Sequence, residues 1–170
     1  MLLSDQGKQR ADSLVLKAYE ETRDDVYYYV LTLGLTPAHA QDVAQDVFVK
    51  LYVQLRDGEE IRNVRGWLFR VAHNEALKQK AKIRRFGEMT PGIEPVSAAP
   101  GAEGHLIAEE TRRRLNEALS GLSPQQQQVL QLRAAGLRYR EIAETIGIGV
   151  STVNEFVRRA VVRLRKALHE

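Results

Sequence analysis

The sequence predicts an all-α protein of two small helical domains joined by a flexible linker. Apolar residues recur at spacings of three and four, and no stretch alternates for long as a strand does. Capping and helix-ending residues separate these periodic segments. The stretch GEMTPGIEPVSAAPGAEG then holds three of the five prolines and four of the twelve glycines, which is typical of a tether. We therefore expect domains at 1–85 and 111–170, with a linker at 86–110.

The first domain begins with two predicted helices. The first spans about 11–33, and Gly34 can end it because glycine readily takes a positive φ. Thr36 and Pro37 form an N-cap and a first helical position, so a second helix should run from there to about Leu55.

A third helix should follow over about 64–82, with Asn63 as its cap. Its spacing predicts an apolar inward face. The residues of that face are Val64, Trp67, Leu68, Val71 and Ala72. By the same count His73 should be exposed.

The second domain should hold three helices after a polar, charged segment in which Leu115 and Leu119 are spaced for one face. After a polar segment at about 106–120, Ser123 and Gln126 predict a capping box and a helix that ends near Ala135. A short helix over about 138–146 should follow.

The last two helices fit a helix-turn-helix. Gly147 allows the tight turn, and Ser151 should cap a final helix that runs to about Leu168. Phe156 lies beside an apolar stripe of this helix, so we expect it in the core. The opposite face should point outward; it carries Ser151, Glu155, Arg158, Arg159 and Val162.

Charge is unevenly distributed. Residues 62–85 hold eight basic residues against one acidic residue, and residues 111–170 hold eleven against five. Residues 1–61 hold six against eleven, and 86–110 hold none against five. The two basic blocks indicate two anion-facing surfaces, although solvated helix faces would give the same pattern.

Composition argues against several other classes. The chain has no cysteine, which excludes disulfides and thiolate metal sites and fits a reducing cytoplasm. No apolar run approaches the roughly 18 residues of a membrane span, and the polar start MLLSDQGKQR lacks a signal-peptide core. The four histidines are scattered, and no phosphate-binding loop or nucleophile motif occurs. We expect no metal, no cofactor and no enzymatic activity.

Three stretches together resemble bacterial sigma-70 family sigma factors of the small, extracytoplasmic-function type. AQDVAQDVFVKLYVQL (40–55) resembles the helix of region 2, and VRGWLFRVAHNEALKQKAK (64–82) resembles the promoter-melting helix that follows it. The stretch at 122–168, which starts LSPQQQQVL, resembles region 4. The resemblance implies a factor that binds core RNA polymerase, directs it to specific promoters and helps to melt them, acting in the cytoplasm. It also implies a possible anti-sigma factor.

The resemblance also assigns surfaces. It implies that the polymerase is bound by Asp42, Gln45, Asp46 and Phe48. It implies that region 2 binds the upstream −10 element and the melted non-template strand, through Arg62, Arg65, Trp67, Arg70, Asn74, Lys78, Lys80 and Lys82. Trp67 could stack on a base, but its position in the apolar stripe favours a core role.

Region 4 should read the −35 element. The residues expected to contact DNA are Arg138, Arg140, Ser151, Thr152, Asn154, Glu155, Arg158 and Arg159. Arg138 and Arg140 flank the first helix of the pair and could hold the DNA backbone. Glu155 leaves two readings open, because its carboxylate could accept from cytosine N4 or pair with Arg158 or Arg159.

Two alternatives remain at this point. Many family members have more basic residues where this chain has Asn154, Phe156, Val161 and Val162, so region 4 could need a recruiting protein that contacts Val162. The C-terminal pair alone would also fit a stand-alone helix-turn-helix regulator, which would bind DNA without polymerase at two-fold symmetric sites.

Overall fold

The computed structural model describes residues 2–87 and 106–169, and these ranges contain seven α-helices and no strand. The helices are α1 (Leu2–Thr32), α2 (Pro37–Arg56), α3 (Val64–Arg85), α4 (Leu106–Ser120), α5 (Pro124–Ala134), α6 (Tyr139–Ile146) and α7 (Val150–His169). Helices α1–α3 pack together, and α7 packs on α4, α5 and α6. The predicted all-α class with two helical groups is confirmed.

Three predicted caps start their helices as expected. The side chains of Thr36, Asn63 and Ser123 each accept a hydrogen bond from the backbone N–H three residues later, at 3.3, 3.0 and 3.2 Å. The side chain of Gln126 accepts in return from the backbone N–H of Ser123, which completes the capping box. These bonds satisfy N–H groups that have no partner within the helix.

Two helices are longer than the periodicity predicts. α1 begins at Leu2 rather than near residue 11, because extending a helix that has already formed costs little. α3 continues from residue 82 to Arg85. Its extra turn is anchored by buried Ile83, and the basic residues Arg84 and Arg85 favour a helix C-terminus.

The start of α7 differs from the prediction. Ser151 lies inside the helix, which begins at Val150. The carbonyl of Gly149 accepts the first helical bond, from the N–H of Val153 at 3.1 Å, so Gly149 is the N-cap. Glycine is well tolerated at that position.

Part of the predicted linker can be placed. α4 begins at Leu106, inside the range 86–110 that the sequence assigns to the linker. The remainder of that prediction, at 88–105, lies outside the described residues.

A single apolar core runs through both helical groups. Tyr29, Leu51 and Phe69 from α1–α3 are fully buried in it, as are Leu132 and Ile142 from α5 and α6. The two groups therefore share buried surface. No helix within the described ranges is both apolar enough and long enough to cross a bilayer.

Candidate nucleic-acid and polymerase interfaces

Helices α6 and α7 form a helix-turn-helix. Gly147 ends α6 with a φ of 82°, a left-handed conformation that suits glycine, and its N–H donates to the carbonyl of Ala143 at 2.9 Å. Val153 and Ala160 of α7 are completely buried, which fixes how the helix is rotated about its axis. As predicted, Phe156 packs against the core with its side chain half-buried.

The outward face of α7 is polar. Ser151, Asn154, Arg158 and Arg159 are exposed, whereas Thr152 is half-buried. Because these residues lie in the first half of the helix, they are placed as in helices that enter the major groove by their N-terminal end. Arg138 and Arg140, before and within the first turn of α6, are exposed as well.

Glu155 pairs with the arginines of its own helix. Its carboxylate accepts from Arg158 at 3.0 Å and from Arg159 at 2.6 Å. Hydrogen bonds from Arg158, and then from Arg159, lower the pKa of Glu155. The sequence left open whether Glu155 contacts cytosine N4 or pairs with an arginine of its own helix. The structure contains the ion pairs with the arginines.

A groove of about 900 Å³ lies between α4 and α7. Val162, which is 60% exposed, lines it. The charged residues of the lining are Arg113, Arg114, Arg158, Arg159, Arg163 and Lys166, together with Glu110 and Glu117. The predicted exposure of Val162 is thus confirmed, and cations outnumber carboxylates around it.

α3 presents the second basic surface. Exposed along it are Arg70, Asn74, Lys78 and Lys82, with Arg62 exposed just before the helix. Trp67 is half-buried against the core, in line with the predicted core role.

Two of the predicted cations of α3 are less accessible. Lys80 is half-buried, with its ammonium group beside Gly34 of the α1–α2 turn. Arg65 is also half-buried, and its Nη1 donates to the carbonyl of Ala135 at 2.5 Å. Arg65 therefore contacts the second helical group in this structure.

α2 presents an acidic surface. Asp42, Gln45 and Asp46 are exposed and share one face, whereas Phe48 is only 6% exposed. The ring of Phe48 meets that of Tyr19 edge-on, with centroids 5.1 Å apart. The prediction that Phe48 lies on the docking face is wrong for this conformation, because its ring packs inward against α1.

Known proteins resemble the chain over both basic surfaces. Residues 18–86 match the family model described as Sigma-70 region 2, and residues 112–164 match the model described as Sigma-70, region 4. The ferric citrate uptake sigma factor FecI of Escherichia coli is 30% identical over 126 residues, which are 72% of this chain and 72% of FecI. The chain belongs to the sigma-70 family.

Further relatives and solved structures agree. The ECF RNA polymerase sigma factor SigK of Mycobacterium tuberculosis is 26% identical over 88% of this chain and 83% of SigK. The sigma factor RpoE from Bartonella quintana, solved with the anti-sigma factor NepR, is 25% identical, with a TM-score of 0.64 over 90% of this chain and 95% of RpoE. CnrH, solved with the cytosolic domain of CnrY, shares the fold with a TM-score of 0.57 over 99% of this chain and 96% of CnrH, at 22% identity.

The chain is therefore a sigma factor of the extracytoplasmic-function type. It directs RNA polymerase to promoters for the initiation of transcription. Sigma factors are in general not enzymes. In the described part of this one, no three His, Cys, Asp or Glu side chains form a group that could hold a metal ion.

In the sigma factor, His73 is a core residue and not an exposed one. It is 8% exposed, and its Nδ1 shares a hydrogen bond of 2.7 Å with the hydroxyl of Tyr29. The helical count places His73 outward, but α1 covers that side of α3 and supplies a partner for the ring. The expectation that His73 is exposed, and could touch phosphate there, is wrong.

Glu141 is the residue that sequence reasoning missed. One of its carboxylate oxygens, Oε2, accepts from the backbone N–H of Arg138 at 2.7 Å and caps α6. The other, Oε1, accepts from Nδ2 of Asn63, the cap of α3. The order RYRE at 138–141 carries the signal for the first contact, because glutamate at the third helical position can reach back to the cap.

Glu75 joins α2 to α3. Its carboxylate pairs with Lys50 at 2.6 Å and with Lys78 at 3.3 Å. The hydrogen bond from Lys50 is the main cause that lowers the pKa of Glu75. Lys78 thus starts with a carboxylate partner, which a DNA phosphate would have to replace.

Proposed function

We propose that the three exposed surfaces divide the work of the sigma factor. The acidic face of α2 binds core RNA polymerase, the basic face of α3 binds the −10 element and the melted non-template strand, and the outward face of α7 reads the −35 element. The corresponding domains are 1–85 and 111–170, and the protein acts in the cytoplasm as a non-enzymatic factor without a cofactor.

The observation that carries this proposal is the opposite charge of neighbouring helices. Asp42 and Asp46 are exposed on α2, while Arg70 and Lys82 are exposed on the adjacent α3. Complementary potentials steer a protein and a nucleic acid to different faces of one small domain. An acidic face would repel DNA and attract a basic protein surface, so the two partners would not compete.

The role that we propose for each side chain of α3 follows from how exposed that side chain is. Arg62, Arg70 and Lys82 are placed to contact backbone phosphates, and the amide of Asn74 can hydrogen-bond the edge of an unpaired base. Lys78 and Lys80 begin with contacts inside the protein, and Trp67 supports the surface from within. We assign the strongest DNA contacts of α3 to the exposed residues Arg62, Arg70, Asn74 and Lys82.

A second candidate is assisted recruitment, and the groove at Val162 favours it. Val162 is exposed in a groove whose lining has six cations against Glu110 and Glu117, which suits a partner segment with one apolar residue between acidic ones. Such a segment would have to replace Glu110 and Glu155 as the partners of Arg114 and Arg159. Such a partner could be an anti-sigma factor or a protein that brings region 4 to the promoter.

In vitro transcription tests both candidates. Purified protein is added to core RNA polymerase on a library of random promoter sequences, and the transcripts are sequenced. Start sites that share two spaced elements are the expected result and indicate a self-sufficient sigma factor. Polymerase binding without initiation would favour the recruited form. If core polymerase is not bound, the assignment of α2 fails and a stand-alone regulator becomes the better description.

A further inference from the structure

The last turn of α3 ends on an exposed aromatic ring. Phe86 is the C-cap of the helix, and its side chain is 70% exposed. Its backbone N–H donates to the carbonyl of Lys82 at 3.1 Å, and Gly87 follows with a φ of 70°, so the backbone that carries the ring is held in place. Among the described residues, the ring belongs to no aromatic pair, to no cation–π pair and not to the core.

Cations without carboxylate partners lie beside this ring. Lys82 precedes Phe86 by one helical turn, Arg84 and Arg85 come directly before it, and all three cations are exposed. None of the three forms an ion pair with another described residue, in contrast to Lys78. An anion can therefore bind here without displacing a carboxylate of the described chain.

The cations have an ordinary explanation, but the exposed ring does not. Positive side chains are favoured at a helix C-terminus, whereas a large apolar ring gains free energy when it leaves water. An aromatic ring among unpaired cations is how many proteins bind single-stranded nucleic acid, because bases stack on the ring while the cations follow the phosphates. In a duplex, neighbouring base pairs already cover both faces of each base. The last turn of α3 therefore suits a single strand better than a duplex.

The ring lies at the end of the proposed DNA face of α3. Asn74, Leu77 and Ala81 are exposed and are spaced three and four residues apart, so they form one line that runs towards the last turn. From residue 74 to residue 86 the helix rises about 18 Å, at about 1.5 Å per residue. A strand with one phosphate per roughly 3.4 Å spans that length with about five or six nucleotides.

We propose that Phe86 stacks on an unpaired base of the melted strand, while Lys82 and Arg85 bind the phosphates on either side of it. This proposal rests on the proposed function, and it extends the single-strand contact of α3 from Asn74 to the end of the helix. Since every base has a planar face, the ring accepts any base and contributes affinity without reading sequence.

Two labelled strands of twelve nucleotides test the stacking with the full chain. One is oligo(dT), and the other is an abasic deoxyribose-phosphate strand of equal length, which keeps the charge but has no bases. Fluorescence anisotropy at several salt concentrations gives the affinity of each strand and its salt slope. Phe86→Ala is compared with Leu16→Ala, which shortens an apolar side chain of α1 that is 58% exposed.

We expect Phe86→Ala to weaken the binding of oligo(dT) by about fivefold or more, with the salt slope unchanged, because the phosphate contacts remain. Phe86→Trp should keep the affinity of the wild type, and Leu16→Ala should stay within twofold of it. The abasic strand should bind the wild type and Phe86→Ala equally.

The phosphate contacts have a different signature. Lys82→Ala with Arg85→Ala should weaken the binding of both strands. The negative salt slope should become shallower by about 0.7 for each phosphate that the variant no longer neutralises.

Three results would overturn the stacking site. The wild-type chain fails to bind oligo(dT), Phe86→Ala binds oligo(dT) as tightly as the wild type does, or Phe86→Ala loses as much affinity for the abasic strand as for oligo(dT). If Phe86→Ala weakens the binding of core polymerase but not that of oligo(dT), the ring is a protein contact instead.

The two proposals fail in different ways. Arg70→Ala with Asn74→Ala removes two contacts that the proposed function gives to α3, away from its last turn. If this double variant weakens the binding of oligo(dT) and Phe86→Ala does not, only the stacking site is wrong. If Phe86→Ala weakens binding and the double variant does not, the assignment of the α3 face fails while the ring still binds single strands.

Discussion

The hydroxyl of Tyr29 and Nδ1 of His73 share a hydrogen bond of 2.7 Å between α1 and α3. The two rings are stacked at 23°, with centroids 6.2 Å apart, and both side chains are buried. Burial lowers the pKa of His73 and raises that of Tyr29, because each charged form would lose its hydration. Both shifts favour the neutral forms of the two side chains near pH 7.

Stability should fall as the pH drops below about 6.5, the ordinary pKa of histidine. In that range the unfolded chain binds a proton at His73 more readily than the folded protein does, so protons favour unfolding. Above it the contribution of His73 is fully present. Urea unfolding at pH 7.5 and pH 5.5 measures the difference in free energy of unfolding.

Two variants separate this effect from that of the carboxylates. In His73→Gln the free energy of unfolding should lose part of its pH dependence. His169→Gln, at the exposed end of α7, should keep the wild-type pH dependence. Identical pH profiles for His73→Gln and the wild type would assign the dependence to other groups.

Reversing charge on α2 should weaken the binding of core polymerase. Asp42→Lys with Asp46→Lys places two cations on the face proposed to meet a basic partner, and we expect a Kd raised by about tenfold or more. Both residues are exposed, so the helical fold should be retained. Binding can be measured with labelled protein by fluorescence anisotropy.

The control for this variant is Glu20→Lys with Glu21→Lys, which changes the net charge equally at neighbouring positions of α1. Equal losses of affinity in the two double variants would indicate a general charge effect, and the docking face would then have to lie elsewhere.

Removing Arg158 and Arg159 should weaken duplex binding by region 4. Arg158→Ala with Arg159→Ala removes two cations from the outward face of α7. The slope of log K against log salt is negative, and it should become shallower by about 0.9 for each phosphate that the variant no longer neutralises. Titration at several salt concentrations gives that slope. Arg10→Ala with Arg23→Ala on α1 removes the same charge and should leave the slope unchanged.

Glu155→Gln should tighten binding to duplex of any sequence. The carboxylate now pairs with Arg158 and Arg159, and DNA must compete with it for both guanidinium groups. Without that charge we expect higher affinity and a steeper salt dependence. Loss of preference at a single base pair, with affinity for random DNA unchanged, would instead show that Glu155 reads a base.

Local sequence signals predicted the helices but not how the two groups meet. Thr36, Asn63 and Ser123 cap their helices because the bond each makes lies within one turn of the chain. The contact from Asn63 to Glu141 joins residues 78 positions apart. Periodicity describes one helix at a time and carries no information about such a pair.

The predictions for the candidate site were likewise correct where they depend on one helix and wrong where they depend on packing between helices. Spacing predicted the outward face of α7 well, since Val153 and Ala160 fix which side is buried. Helical spacing misplaced His73, and the resemblance misplaced Phe48. Each packs against a residue of α1 that neither signal specifies. A buried imidazole is tolerated only where a partner such as Tyr29 satisfies it.

The apolar core shared by the two helical groups also affects the thermodynamics of the chain. Because buried side chains of α1–α3 and α5–α6 pack on one another, the described helices should melt in one cooperative transition rather than in two. Any separation of the two groups would hydrate part of that surface and raise the heat capacity, whereas docking on polymerase lowers it. Calorimetry of binding to polymerase should then show a heat-capacity decrease that is smaller in magnitude than the area of the new interface alone predicts.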